Sequence, residues 1–358
     1  MPRTDRFPPG PETPCASTAP GSSHAEIVAQ LAADPRAVVV VDDEGRAVGV
    51  VGDRELRAAA LRGLAESAPV VDLMDRDPVW LDASPSDDDL RESLEAVGAS
   101  AAVVRDGEGR PTALHDRRDL FAARDRARHA ILMVGGEGTR LRPLTAETPK
   151  PLLPVGGRPI LERIVERLRE HGVERVTMAL GYRAEQIERH FGDGADFGVA
   201  VDYVREERPL GTAGAIGMVE VPTAGPLLVM NGDIVTNLDF TAMALEHARR
   251  GAAVTVAARP YQHQVPYGVL RLVGGRIVDI AEKPTRTWWT NAGVYLMDAA
   301  VVGRIERDRY LDMTMLVEGL IGDGRDVESF PLLEYWCDIG LPADYERANR
   351  RLSEPGTP

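Results

Sequence analysis

At 358 residues the chain is too long for one ordinary domain and suits two, and 44% hydrophobic with 27% charged residues is enough apolar content for real cores. A formal charge of −14 excludes general binding to nucleic-acid backbones, which needs a basic surface. No apolar run approaches the roughly 20 residues that cross a bilayer, the N-terminus lacks the apolar centre of a secretory signal, and two cysteines, Cys15 and Cys337, exclude a disulfide framework; a soluble cytoplasmic protein is expected.

Residues 1–23 are rich in Pro, Gly, Ser and Thr and read as a disordered tail. Residues 24–128 contain an internal repeat offset by 64 positions: VVVVDDEGRAVGVVGDRELRAA (38–59) matches AAVVRDGEGRPTALHDRRDLFAA (101–123). Each copy reads as strand, tight glycine turn, strand, and a helix opening near an acidic residue. The repeat resembles a tandem pair of CBS domains. That resemblance implies an α+β pair with an adenosine-nucleotide site between the copies, regulating an attached enzyme. Gly52 and Asp116 stand where the family carries Ser or Thr, and Glu55 replaces its ribose-binding Asp, which Asp119 keeps. A structural or dimerising role, as in a homo-oligomer, stands beside ligand binding.

From residue 129 to 358 strands alternate with helices. AILMV (130–134) is a buried-type run; PILERIVERLREHG (159–172) has helical apolar spacing and a glycine stop; VERVTMAL, VAVDYV, PLLVMNGD, AAVTVAAR and NAGVYLMD read as strands. AEQIERHF, GTAGAIGMVE and FTAMALEHARRG read as helices, and YGVLRLVGGRIVDIAEKP as a hairpin turning at Gly274-Gly275. The expected architecture is α/β, a Rossmann-like doubly wound and largely parallel sheet. Ligands then bind off the carboxyl ends of strands.

The first such loop is GGEGTRLRPLTAETPKPLLPVGG (135–157). Gly135, Gly136 and Gly138 permit a backbone nest for anionic oxygen, with Arg140 and Lys150 as positive charges and three prolines stiffening the segment. Of 42 basic residues only Lys150 and Lys283 are lysines. Arginine was evidently accessible everywhere, so a retained lysine marks a place for a compact ammonium rather than a broad fork. Asp233 ends an apolar strand, and Asp338 lies in WCDIG before the last helix. Two acids beside a phosphate loop suit Mg²⁺, which takes few carboxylates plus water and phosphate oxygens. The seven histidines show no triad or metal spacing, and His129, His171 and His247 read as helix or loop residues.

The string GG-x-GTRL-x-PLT…PKP-x-x-PVG-x-x-P resembles the signature of sugar-1-phosphate nucleotidyltransferases. The resemblance continues through RPLGTAGA (208–215), NGDIVTNLDF (231–240), PYGV (266–269), EKP (282–284), NAGVY (291–295) and YWCDIG-x-PADYERAN (335–349). With the repeat ahead of it, the chain is similar to mannose-1-phosphate guanylyltransferases. The resemblance implies catalytic roles for Arg140, Lys150 and Asp233 and metal ligation by Asp233 and Asp338. It implies nucleotide contacts from Gly135, Gly136, Gly138, Thr139, Leu210, Gly211 and Thr212, with Gly214 allowing close backbone approach. The acceptor falls to Gly268, Glu282, Lys283 and Asn291, with Thr290 where relatives often carry an apolar residue. Trp288 and Trp289 read as a sugar platform or as packing. No appended β-helix, and hence no acyltransferase activity, is expected.

The implied partners are an NTP, GTP by resemblance, and a sugar-1-phosphate or a cyclitol-1-phosphate such as valienol 1-phosphate of antibiotic biosynthesis. Mannose-, glucose- and glucosamine-1-phosphate stay open as acceptors. The competing reading is a noncatalytic nucleotide sensor, which has no need to keep Arg140, Lys150, Asp233, Lys283 and Asp338 together.

Overall fold

The computed structural model describes residues 16–33, 37–65, 67–220 and 225–353. Its chain divides into two compact units, Met1–Arg126 with Ala244–Arg249, and Ala127–Met243 with Arg250–Pro358. No helix among the described residues is long and apolar enough to cross a membrane.

The first unit repeats one βαββα motif. The first copy is β1 (Ser17–Thr18), α1 (His24–Ala33), β2 (Val38–Val41), β3 (Ala47–Val51) and α2 (Asp53–Leu61); the second is β4 (Val79–Leu81), α3 (Asp87–Val97), β5 (Ala101–Arg105), β6 (Pro111–Asp116) and α4 (Arg117–Asp125). In each copy the first strand pairs parallel with the second, and the second antiparallel with the third, with a matching register shift at Val40/Val41 and Val104/Arg105. The expectation of a disordered stretch through residue 23 is therefore corrected for 16–23: Ser17 and Thr18 pair with Val39 and Val40, supplying the strand that the motif requires. Cys15 and the rest of that tail lie outside the described residues.

Two carboxylates, buried Glu55 and half-buried Asp116, link the copies reciprocally. Glu55 Oε2 caps α2 by accepting from Gly52 N at 2.9 Å, and its Oε1 accepts from Ser100 Oγ of the other copy at 3.3 Å. Asp116, which caps α4, accepts from Ala37 N across the repeat at 2.9 Å and from Arg118 N at 2.8 Å. Burial pushes both carboxyls above their ordinary range; the Arg54 charge offsets this at Glu55, and backbone N–H donors offset it at Asp116, while Asp75 and Asp119 add to it respectively. Residues at the helix openings thus bind the repeat to itself.

The second unit runs β7 (His129–Val134), β8 (Pro154–Val155), β9 (Arg158–Pro159), α5 (Ile160–Glu170), β10 (Arg175–Leu180), α6 (Ala184–Phe191), β11 (Ala200–Arg205), α7 (Gly211–Gly214), β12 (Leu227–Asn231) and β13 (Ile234–Thr236). It continues with α8 (Phe240–Arg250), whose Ala244–Arg249 belong to the first unit, then β14 (Val254–Gln264), β15 (Val269–Val273), β16 (Arg276–Ala281), β17 (Thr285–Met297), α9 (Ala299–Val302), α10 (Met313–Gly322), β18 (Val327–Pro331), β19 (Trp336–Asp338) and α11 (Pro342–Ser353). The seven-stranded sheet has the order β11-β10-β7-β12-β17-β14-β18, with β17 antiparallel to both neighbours and the other pairs parallel. Ala130, Ile131 and Leu132 are fully buried, as a central parallel strand requires. In α5 the predicted stripe Ile160, Ile164, Val165 and Leu168 is buried, and its Arg and Glu residues face outward.

From β7 the chain winds out to β11 and returns to β12 on the other side of β7. This reversal opens a crevice at the carboxyl ends of β7 and β12. Two expectations are corrected here. The helix expected over 211–220 is a single turn, Gly211–Gly214, followed by a 3₁₀ turn, Ala215–Met218, because three glycines in seven residues remove the propensity for a longer helix. His129 opens β7 rather than a helix or loop; it is buried against Thr177 Oγ1 at 2.8 Å, and burial brings its pKa down to about 4.

A carboxyl with a raised native pKa makes the folded unit the better proton binder. Its contribution is greatest below the unfolded value and is lost as pH rises through the folded one. We expect amide-exchange protection of β2 and β5 to fall as the pH is raised above the ordinary carboxyl range. In a Glu55→Gln, Asp116→Asn variant that decline should flatten. Equal slopes would show that these carboxyls do not couple protonation to folding.

Candidate active site

The crevice beyond β7 and β12 holds a cavity of about 230 Å³ lined by Gly136, Gly138, Thr139, Arg140, Lys150 and Asp233, with Gly232 and Gly340 at its wall. Gly138 has φ +62°, and a Cβ there would stand 3.0 Å from both Lys150 Cβ and Thr145 Cγ2. Thr145 Oγ1 donates to Gly138 O at 2.8 Å, so the loop folds back on itself and lays Lys150 across its base. Pro149 and Pro151 flank that lysine, and Lys150–Leu152 forms a 3₁₀ turn. Gly232 is required on the other wall, where a Cβ would meet Val134 Cγ1 and stand 2.9 Å from Met133 O.

Lys150 Nζ lies 2.5 Å from Asp233 Oδ2, with side chains 10% and 29% exposed. The short β13–β19 ladder pairs Ile234 with Asp338 and so brings the second acid beside the first. Asp233 Oδ1 and Asp338 Oδ1 are both buried without a hydrogen-bond donor. Burial, then the neighbouring Asp233, raises the Asp338 pKa against the pull of Lys150 and Arg140. Arg140 reaches the same place, since a Cβ on Gly340 would be 3.5 Å from Asp338 Oδ1 and 3.6 Å from the Arg140 guanidinium. Two buried acceptor oxygens without donors are what a divalent cation with few protein ligands needs, so these residues fit one.

The remaining expected nucleotide contacts are arranged differently. Gly135 sits outside the cavity lining, and its carbonyl accepts from Tyr182 N at 3.2 Å. Leu210 is 1% exposed. Thr212 Oγ1 accepts from Met313 N at 2.8 Å, and a Cβ on Gly211 or Gly214 would strike the carbonyls of Leu311 or Arg309. The close backbone approach that these glycines allow is to the chain's own 309–312 segment. Sequence reasoning missed Glu206, whose Oε2 accepts from Leu210 N at 3.0 Å and whose Oε1 would stand 3.0 Å from a Cβ on Gly135. It also missed Gly232, although its place in N-G-D at a strand end was a usable signal.

The acceptor residues lie on a ribbon. β14 and β17 remain paired beyond the sheet out to Gln264 and Thr285, and β15–β16 caps them. A Cβ on Gly268 would be 3.1 Å from Glu282 Oε2, so these two meet. Lys283 has φ +45°, a left-handed conformation that costs a lysine about 1–3 kcal/mol and recurs at functional positions. Asn291 Oδ1 accepts from Gly293 N at 2.8 Å and its Nδ2 donates to Tyr295 Oη at 2.6 Å. Its side chain thereby fixes the ribbon's return beside Asn231, which a Cβ on Gly293 would approach to 2.7 Å. Trp288 is 47% exposed with Tyr261 at 6.4 Å between ring centroids, and Trp289 is half-buried.

A larger cavity of about 390 Å³ beside α5, lined by Arg163, Glu166, Arg167, Glu170 and Phe240 among others, has no glycine loop, and its two glutamates are each paired with an arginine. Chemistry therefore selects the smaller one.

The chain is 35% identical over 234 residues to the mannose-1-phosphate guanylyltransferase of Mycobacterium tuberculosis, covering 62% of this chain and 64% of that protein. It is 33% identical to the catalytic subunit beta of the Drosophila melanogaster enzyme of that name, at 60% of each. It thus spans about three-fifths of the length of these relatives. The D-glycero-alpha-D-manno-heptose 1-phosphate guanylyltransferase of Aneurinibacillus thermoaerophilus is 31% identical, with 97% of its length covered and 62% of this chain. Among solved structures, a putative glucose-1-phosphate thymidylyltransferase from Bacillus anthracis shares the fold at TM-score 0.52 and 24% identity, over 63% of this chain and 95% of that one. HddC from Yersinia pseudotuberculosis matches at TM-score 0.50 and 27% identity, over 62% and 98%. A family model described as nucleotidyl transferase matches residues 129–354, and the chain belongs to that family.

Proposed function

We propose that the protein transfers GMP from GTP to a sugar-1-phosphate or a closely similar ring 1-phosphate. The observation that carries this is one cavity holding a glycine loop and the Lys150–Asp233 pair, with Asp338 on the strand beside it and a donorless buried oxygen on each carboxylate. An acceptor phosphate oxygen attacks the α-phosphorus, and the bond to the bridging oxygen breaks with pyrophosphate leaving. The acceptor phosphate is already ionised near neutral pH, so no general base is needed. What remains is to align two polyanions and spread their charge. The Gly136–Gly138 backbone cradles the triphosphate. Arg140, which has no ion pair among the described residues, and Lys150 neutralise it. A Mg²⁺ held by Asp233 and Asp338 supplies further charge neutralisation when bound. Glu282, Lys283, Gly268 and Asn291 take the acceptor.

The guanine preference is supported by the guanylyltransferase relatives, which act on mannose- and heptose-1-phosphates by name. A cyclitol acceptor such as valienol 1-phosphate, with a role in antibiotic biosynthesis, is the finer form of the proposal. We further propose that the βαββα repeats are a CBS-type pair with a structural role. Two carboxylates at the helix openings disfavour an anionic adenosine phosphate there.

Pyrophosphate release decides the reaction. Mixing the protein with Mg²⁺, GTP and mannose-, glucose-, heptose- or cyclitol-1-phosphates should give turnover with at least one acceptor and with GTP over other nucleotides; silence throughout would contradict the proposal. Asp233→Asn and Asp338→Asn should each lower turnover at saturating Mg²⁺ by at least about 100-fold with the fold intact by circular dichroism. Lys150→Arg should also lose most activity. The lysine is packed against Gly138 between two prolines, and a wider fork displaces the triphosphate, where about 1 Å costs on the order of 100-fold. Wild-type kcat in Lys150→Arg would reduce Lys150 to generic positive charge.

A further inference from the structure

Arg259 is a cation without an ion-pair partner among the described residues. Its guanidinium lies over the indole of Trp336, with Cζ 4.8 Å from the ring centroid. Stacking restrains the side chain while leaving the in-plane N–H donors at its edge free for another acceptor.

The location follows from strand geometry. In β19 alternate side chains share a face, so Trp336 and Asp338 project together while Cys337 between them, 1% exposed, points into the core. Trp336 Nε1 donates to Ala292 O at 2.8 Å, which ties the indole to the residue following Asn291. Arg259 is the ladder partner of Thr290, whose Oγ1 donates to Arg259 O at 3.1 Å. Arg259 therefore sits on the acceptor side. From Asp338 to Trp336 is two strand residues, about 7 Å, and the guanidinium stacks on that indole. That separation is roughly the span of one substituted six-membered ring extending away from a phosphate held near the carboxylates.

We propose that Arg259 is a specificity-determining residue that reads ring hydroxyls of the acceptor on the side away from its phosphate. The inference rests on the guanylyl-transfer reading above. A planar fork donating two parallel N–H groups matches a vicinal hydroxyl pair, and it discriminates between epimers in which one oxygen of the pair turns away. Arg259 does not touch the reacting phosphorus, so its removal acts on acceptor binding.

Steady-state kinetics with GTP against mannose 1-phosphate and its C4 epimer, talose 1-phosphate, tests this. Arg259→Ala and Arg259→Gln should each raise the KM for the preferred hexose phosphate by about tenfold or more. KM for GTP should stay within about twofold, which also shows that the variants fold, and the ratio of kcat/KM between the epimers should shrink toward one. Arg259→Lys should not restore that ratio. An unchanged acceptor KM with the epimer ratio kept would overturn the inference while leaving guanylyl transfer standing. A wild-type protein that releases no pyrophosphate with either hexose phosphate and GTP would overturn the transfer reading for hexoses, and this inference with it.

Discussion

Lys150 and Asp233 come from opposite walls of one crevice, 83 residues apart in sequence, and meet at 2.5 Å at its floor. The contact dictates much of its surroundings. The lysine reaches the floor because Gly138 turns left-handed beneath it, and the aspartate because Gly232 lets the end of β12 lie on β7 without a clash. The pair is only partly shielded from water, so its worth is less in stability than in placement. The ammonium neutralises one oxygen of a two-carboxylate cluster in which Asp233 Oδ1 and Asp338 Oδ1 are buried without donors. On the proposed function, Asp233 and Asp338 would hold a cation and Lys150 would turn to the triphosphate, each partner exchanging the other for a stronger one.

The elements that build this crevice were legible in the sequence because they are driven by local pattern. The buried run 130–134, the α5 stripe and the Gly274-Gly275 turn each depend on periodicity or backbone freedom that a sequence displays directly. Lys150 stood out for a compositional reason, as one of two lysines among 42 basic residues. What the sequence did not display is which partner a residue chooses. Gly211 and Thr212, which read as nucleotide contacts, also close on Leu311–Met313 a hundred residues away, a pairing no local pattern displays. The antiparallel insertion of β17 into the sheet, the stacking of Arg259 on Trp336 and the Glu206 bridge to Leu210 are likewise long-range pairings without local periodicity.

The two halves of the site are built on different principles. The nucleotide half is a packed loop over the sheet, fixed by glycines and prolines. The acceptor half lies on an exposed two-stranded ribbon bent at Lys283, where a left-handed lysine sits between two strands. A short ribbon alone is marginally stable and tolerates substitution. On the proposed function, changes there would alter acceptor choice without disturbing the chemistry at the sheet. The first unit shows the opposite economy: its repeated motif closes on itself through Glu55 and Asp116, and residues at its helix openings serve the fold.

The exchange of partners at Lys150 is the central claim, and the affinity for a divalent cation in the absence of nucleotide tests it most directly. Titration of Mn²⁺ into the full-length wild-type protein and into a Lys150→Gln variant, followed by electron paramagnetic resonance, measures that affinity. If the ammonium competes with the cation for Asp233, the variant binds Mn²⁺ alone more tightly, by about tenfold, and binds GTP more weakly. Equal or weaker Mn²⁺ binding in the variant would contradict the account, because Lys150 would then not occupy the cation's place.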